Sequence, residues 1–206
     1  MLFRSRNSGR AGSGKSSVAR ALASRGAQVI DADRIGHEIT DTDPEVRRTL
    51  LAEYGPAVYL DDGKLNRRLV ATMVFSSPPA LEALNGLVHP RILLRTRQAI
   101  TQLVKEGFRG PVIVDAALLL DWAFERECDA VIAVTAPEEA QLSRLLASRG
   151  WTADEARRRL AAQRPNAVFA TAADVAIENA GTEAELAESA VRALEQVSAV
   201  RGVGRT

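Results

Sequence analysis

Short apolar runs alternate along this 206-residue chain with longer stretches of helical periodicity. Residues 27–31, 111–115, 129–134 and 174–177 are brief, nearly continuous apolar segments, the pattern of strands covered on both faces by helices. A fifth candidate lies at the start and is weaker. Among residues 1–8 only Leu2 and Phe3 are typical of a strand core, and Arg4 and Arg6 would be costly to bury. A short, partly exposed first strand or an unusual N-terminus is expected. Residues 16–26 follow with Val18, Ala21 and Leu22 on one helical face and Gly26 as a stop.

Two spacings interrupt the alternation. Roughly 80 residues separate the second and third strands, far more than a single crossover helix requires. Helical patterns fill that gap at 45–54, 67–75 and 79–105, the last with an interruption at His89-Pro90. After the fourth strand come a helix at 137–148 and a second at 152–163, opened by a Thr152–Glu155 capping-box spacing and carrying Arg157, Arg158 and Arg159, either a solvated face or an arginine-bearing lid over phosphates. A final amphipathic helix is predicted over 182–197, with a disordered tail at 198–206.

The expected fold is α/β: a five-stranded parallel sheet with helices on both faces, plus a helical insert and a small helical lid. The expected core is 1–32, 108–148 and 172–197. The insert is 33–107 and the lid is 149–171.

Chemistry enters between the first strand and the first helix. Gly9-Arg10-Ala11-Gly12-Ser13-Gly14-Lys15-Ser16 matches G-x-x-x-x-G-K-[ST] at every fixed position. Glycines let successive backbone N–H groups point inward around phosphate oxygens, and the following helix adds its positive end. Lys15 reaches the β- and γ-phosphates, and the Ser16 hydroxyl is placed for Mg²⁺. Gly9, Gly12, Ser13, Gly14, Lys15, Ser16 and Ser17 are the candidate phosphate-binding set. Asp115, closing the third strand, matches the acidic residue that meets Mg²⁺ in such proteins; capping of the next element is its alternative role.

Composition narrows the picture. Net charge is +1, which favours neither nucleic acid nor an anionic membrane as partner. Cys128 is the single cysteine, which excludes an internal disulfide and a cysteine metal cluster, and two histidines are too few for a multi-histidine metal site. No apolar window has transmembrane length and no signal-peptide core is present, so a cytoplasmic chain is expected, a monomer or weak homo-oligomer. A GTPase would carry an N-K-x-D base-reading motif, and none of the three lysines is followed by x-Asp. A polynucleotide-driven ATPase would carry a basic surface. A core sheet, an insert after the second strand and an arginine-bearing lid after the fourth instead describe a small-molecule kinase of the nucleoside-monophosphate-kinase type.

Further segments narrow the class. Val29-Ile30-Asp31-Ala32-Asp33 with His37 and Glu38, then Leu65–Leu69 with Val74-Phe75, resemble dephospho-coenzyme A kinases. So do Leu87-Val88-His89-Pro90-Arg91-Ile92, residues 159–163 and residues 173–181. The resemblance covers about residues 8–197 and implies transfer of the ATP γ-phosphoryl to the ribose 3′-hydroxyl of dephospho-coenzyme A, with Mg²⁺. Another small-molecule or nucleoside-monophosphate-type kinase, or a weakly active ATP-binding relative, is the alternative. The chain departs from the family pattern at several places. Arg4 and Arg6 replace an apolar strand; Arg10 stands for Gly or Asn, Ala11 for Ile, Asn66 for Asp, Ala117 for Pro and Asp121 for Glu.

Residue roles follow in part from that likeness. From the residues alone, Asp33 is equally an N-cap for a helix beginning near Arg34 or a carboxylate that accepts the hydroxyl proton. The resemblance implies the second, with Asp31 orienting its neighbours. The kinase layout implies that Arg144 lies by the adenine, that Arg149 reaches phosphate and that Arg159 joins when the lid closes. Asn179 to Gly181 is expected to line the adenine pocket through its backbone or to form a plain turn. His89 is expected to be structural or to belong to the insert.

Overall fold

The computed structural model describes residues 3–116, 124–149 and 152–200. They divide into two compact units, Met1–Ile30 with Leu103–Thr206, and Asp31–Gln102. The first unit holds β1 (Phe3–Ser8), α1 (Lys15–Ala23), β2 (Gln28–Asp31, ending at the boundary), β3 (Pro111–Asp115) and β4 (Ala130–Thr135). It continues through α6 (Glu138–Arg149), α7 (Ala153–Ala161), α8 (Asn166–Thr171), β5 (Val175–Glu178) and α9 (Glu183–Val200). The second holds α2 (Ala32–Thr42), α3 (Pro44–Tyr54), α4 (Arg67–Phe75) and most of α5 (Pro78–Lys105).

The strands lie in the order β2-β3-β1-β4-β5. β1 runs parallel to β3 on one side, with Asn7 beside Asp115, and parallel to β4 on the other, with Ser8 beside Ala133. β4 in turn runs parallel to β5. The chain goes from β1 toward one edge and later returns to fill the other. That reversal puts the loop after β1 at a switch point beside the end of β4, where α/β sheets bind their ligands.

Alternation within the strands explains the two covered faces. Ile113, Ile132, Val134 and Ile177 pack with Val18 and Leu22 of α1 and Leu186, Ala190, Ala193 and Val197 of α9. Val112, Val114, Val131 and Ala133, the intervening positions, are buried too. α1 ends as its sequence predicts: the Ala27 N–H closes on the Leu22 carbonyl and the Gly26 N–H on that of Ala23.

Three expectations change. β1 is six residues long and paired on both sides, because backbone pairing with two buried strands holds it whatever its side chains. α5 runs unbroken through Pro90. A proline removes one donor and disturbs the carbonyls one turn back, and here the Arg91 guanidinium donates to the Leu87 carbonyl at 2.6 Å. α9 extends to Val200, so residues 198–200 are helical, since Val197 remains docked in the core. Ala117, Asp121 and residues 201–206 lie outside the described residues, as do the side chains of Arg4, Arg6, Arg149 and Arg159. No helix among the described residues is long and apolar enough to cross a membrane.

Candidate active site

The loop from Gly9 to Gly14 turns tightly because three of its glycines adopt positive φ, 150°, 73° and 102° at Gly9, Gly12 and Gly14. Space as well as conformation requires them. A Cβ on Gly12 would stand 2.7 Å from the Gln141 carbonyl oxygen of α6, and one on Gly14 would overlap the Asn179 side-chain amide. The loop backbone therefore sits directly on α6 and on the segment after β5.

α1 begins at Lys15 with Gly14 as its N-cap, no side-chain cap and no acidic residue in its first turn. The helices α2, α3, α4 and α7 each start with a side chain accepting from their first-turn amides. An uncapped N-terminus behind a glycine cradle suits an anion, which would take the place of the missing cap. The Lys15 ammonium is held within the loop by the carbonyls of Gly9 at 2.8 Å and Arg10 at 3.0 Å. Ser13 is fully buried, and its hydroxyl has no hydrogen-bond partner among the described residues. Ser16 is exposed at the helix start, and the Ser17 hydroxyl accepts from Arg20 at 2.9 Å. Amides, an ammonium and hydroxyls converging on a glycine-backed cradle are a donor set for a polyphosphate.

Two residues assigned to nucleotide binding brace this loop. Asn179, 5% exposed, donates its side-chain amide to the Ser13 carbonyl at 2.8 Å. Arg144 reaches the Gly12 carbonyl at 3.2 Å and both the backbone and side-chain oxygens of Asn179 at 3.3 and 3.1 Å. The Asn179 side chain, not only its backbone, is thus tied to the phosphate loop. Asp115 is half-buried at the end of β3, one strand from the loop. Arg149 closes α6. Gln141, buried beneath Gly12, and Gln163, whose Oε1 accepts the Ala11 N–H at 2.8 Å, also touch this region. Gln163 closes the 159–163 segment that carries the family resemblance, whereas no local pattern marks Gln141; the contacts of both span far-apart segments.

In the second unit the helix predicted near Arg34 is α2, and its N-cap is Asp31, which accepts from the Arg34 N–H at 2.9 Å. Asp33 is exposed in the first turn and is not the cap. The capping alternative for Asp33 is therefore overturned: the chain leaves β2 in extended conformation at Asp31, which leaves the cap position there. The interior of this unit is tied by Asp41. Its carboxylate accepts from Arg67 and from the Leu65 N–H, both at 2.9 Å, while Tyr59 donates to the Thr40 carbonyl at 2.9 Å and stacks under Arg47. Burial raises the Asp41 pKa, but the Leu65 N–H and the Arg67 guanidinium outweigh it and hold the carboxyl below its ordinary value.

The profile of the dephospho-CoA kinase family matches residues 7–185 of this chain. The dephospho-CoA kinase of Thermobifida fusca is 39% identical over 175 residues, covering 85% of this chain and 86% of the relative. Among solved structures, TT1252 from Thermus thermophilus superposes with a TM-score of 0.80 at 30% identity, over 95% of this chain and 97% of the other. The dephospho-CoA kinase from Campylobacter jejuni shares the fold, with a TM-score of 0.70 at 24% identity over 96% and 98% of the two chains.

Proposed function

The chain belongs to the dephospho-CoA kinase family, and from that premise we propose how its residues divide the work. The enzyme phosphorylates the ribose 3′-hydroxyl of dephospho-coenzyme A from ATP, completing coenzyme A. The observation that supports the assignment of the loop is the uncapped start of α1 behind a glycine cradle, with the Lys15 ammonium held inside it.

Phosphoryl transfer asks little covalent chemistry of a protein. Charge spreads over the transferring oxygens, and catalysis comes from positioning and fixed positive charge. The amides from Gly12 to Ser17 and the Lys15 ammonium supply that charge. Lys15 already lies against two loop carbonyls, so little reorganisation is needed to meet a phosphate. Ser16 and Asp115 are the residues that would hold Mg²⁺. Bound there, the ion would neutralise phosphate charge. Asn179 and Arg144 keep the loop in register with the segment after β5, where we place the adenine. Arg149 serves the transferring phosphate. Asp33 accepts the acceptor hydroxyl's proton or orients that hydroxyl.

The same reading completes the architecture as the five-stranded parallel sheet of a P-loop kinase, with β2 parallel at its edge. Residues 33–107 form the acceptor-binding insert and 149–171 the lid.

The test is ATP consumption by the purified protein with dephospho-coenzyme A, AMP, other nucleoside monophosphates or no acceptor, beside Lys15→Ala. Dephospho-coenzyme A alone should support rapid turnover, and Lys15→Ala should lose it while keeping its fold. Turnover in Lys15→Ala within about tenfold of wild type would remove this loop from catalysis.

A further inference from the structure

Arg10 lies in the phosphate loop, yet its guanidinium is engaged with two other elements. The residue is 7% exposed. Nη1 donates to Glu138 Oε2 at 3.2 Å in the first turn of α6. Nη2 donates to the Leu160 carbonyl at 2.5 Å in the last turn of α7. The next residue, Ala11, donates its N–H to Gln163 Oε1 at 2.8 Å just beyond that helix, and packs against the apolar cluster of Leu145, Ala156 and Leu160. Two consecutive loop residues therefore grip the same end of α7 by a charged bond, a neutral bond and an apolar contact.

The chemistry favours this grip. A guanidinium keeps its charge when buried, and its planar fork serves two acceptors at once. The Leu160 carbonyl belongs to the helix end where the dipole is negative. Arg10 Nε is buried with no partner among the described residues, so the two Nη bonds carry the guanidinium's polar contacts. The residues between the clasped end and the start of α7 include Arg157 and Arg158. Holding one end of the helix to the loop fixes where those cations stand relative to it.

We propose that Arg10 is a positioning residue that clasps α7 to the phosphate loop, so that the nucleotide is met by two elements already joined. This rests on reading α7 as part of the lid. The clasp works by raising the fraction of molecules whose helix is docked. A nucleotide that needs the docked state has its apparent affinity reduced in proportion when that fraction falls.

The experiment uses the full chain with Arg10→Gly and, separately, Gln163→Leu, which removes the second tie without changing the loop. Without nucleotide, amide exchange over 153–161 should quicken by about tenfold in Arg10→Gly, while that of α9 stays as in wild type. The KM for ATP should rise by about fivefold with kcat changed by less than about twofold. Gln163→Leu should move both quantities in the same direction by less, and it carries the test if Arg10→Gly does not fold. Unchanged exchange over 153–161 would overturn the clasp and leave the lid reading standing. Faster exchange with an unmoved KM would overturn the positioning role together with the lid reading. A fall in kcat with KM unmoved would also overturn it, by placing Arg10 in the chemical step.

Discussion

Two aspartates two residues apart carry different loads. Asp31 caps α2 through the Arg34 N–H, and Asp33 lies two residues further on, within the first turn, and is not the cap. Substitution should separate them. Asp31→Asn should be nearly silent, and Asp31→Ala should cost about 1 kcal/mol of stability, because Asn is a good N-cap and Ala is not. Asp33→Asn should keep ATP binding and cut 3′-phosphorylation by roughly a hundredfold or more if its charge serves the acceptor. Calorimetric ATP affinity and transfer rate, measured on one preparation, decide the matter. A near-normal rate in Asp33→Asn would end the acceptor role. Which aspartate caps was not readable from spacing, since both precede the helix and both are good caps; the backbone conformation at Asp31 decides it.

The elements of the second unit are joined by charged side chains as well as by apolar packing. Asp41, at the end of α2, holds Arg67 of α4 and the Leu65 amide. With its pKa held below the ordinary value, the carboxylate contributes stability that is complete above about pH 4 and is lost as the pH falls through its folded-state pKa. Asp41→Asn should therefore cost about 1–3 kcal/mol at pH 7 and distinctly less at pH 3, read from denaturant melts at both pH values. An equal loss at both would show that packing rather than charge is at stake. α5 gives the complementary lesson. Pro90 predicts an interruption, but Val88 and Ile92 on either side of it are buried and Arg91 serves the Leu87 carbonyl. Tertiary contacts outweigh the local penalty of about 3 kcal/mol for a proline inside a helix.

At the scale of the molecule, the segment 149–165 is where ligand should change behaviour. If it forms a lid, its amide exchange should slow when an ATP analogue and dephospho-coenzyme A are both present, because excluding water strengthens the arginine contacts to phosphate. Exchange unchanged by both ligands would mark its arginines as a solvated surface. ATP at a hundredfold over its dissociation constant should also stabilise the fold by about 2.7 kcal/mol, visible as a raised melting temperature. That shift should shrink in Lys15→Ala.

The sequence by itself determined what depends on neighbours along the chain. The phosphate loop is legible because its glycines, lysine and serine act through fixed spacing on one backbone turn. The buried strands are legible because apolar runs bounded by helices can satisfy themselves only inside a sheet. α1, α3 and α4 announce themselves through periodicity, α1 also through its Gly26 stop, and α7 through its Thr152 cap. Only the tertiary structure decided what depends on segments far apart. Strand order joins segments separated by whole helices, and the six-residue β1 with its polar residues and the bracing of Gly12 and Ser13 by Arg144 and Asn179 arise between positions more than a hundred residues apart. The sequence marks Arg10 only as a residue out of place in a small-residue loop. Its partners, Glu138 and Leu160, are brought to it by the crossing of β4 and α6 beside β1, and a contact made by folding leaves no spacing to read.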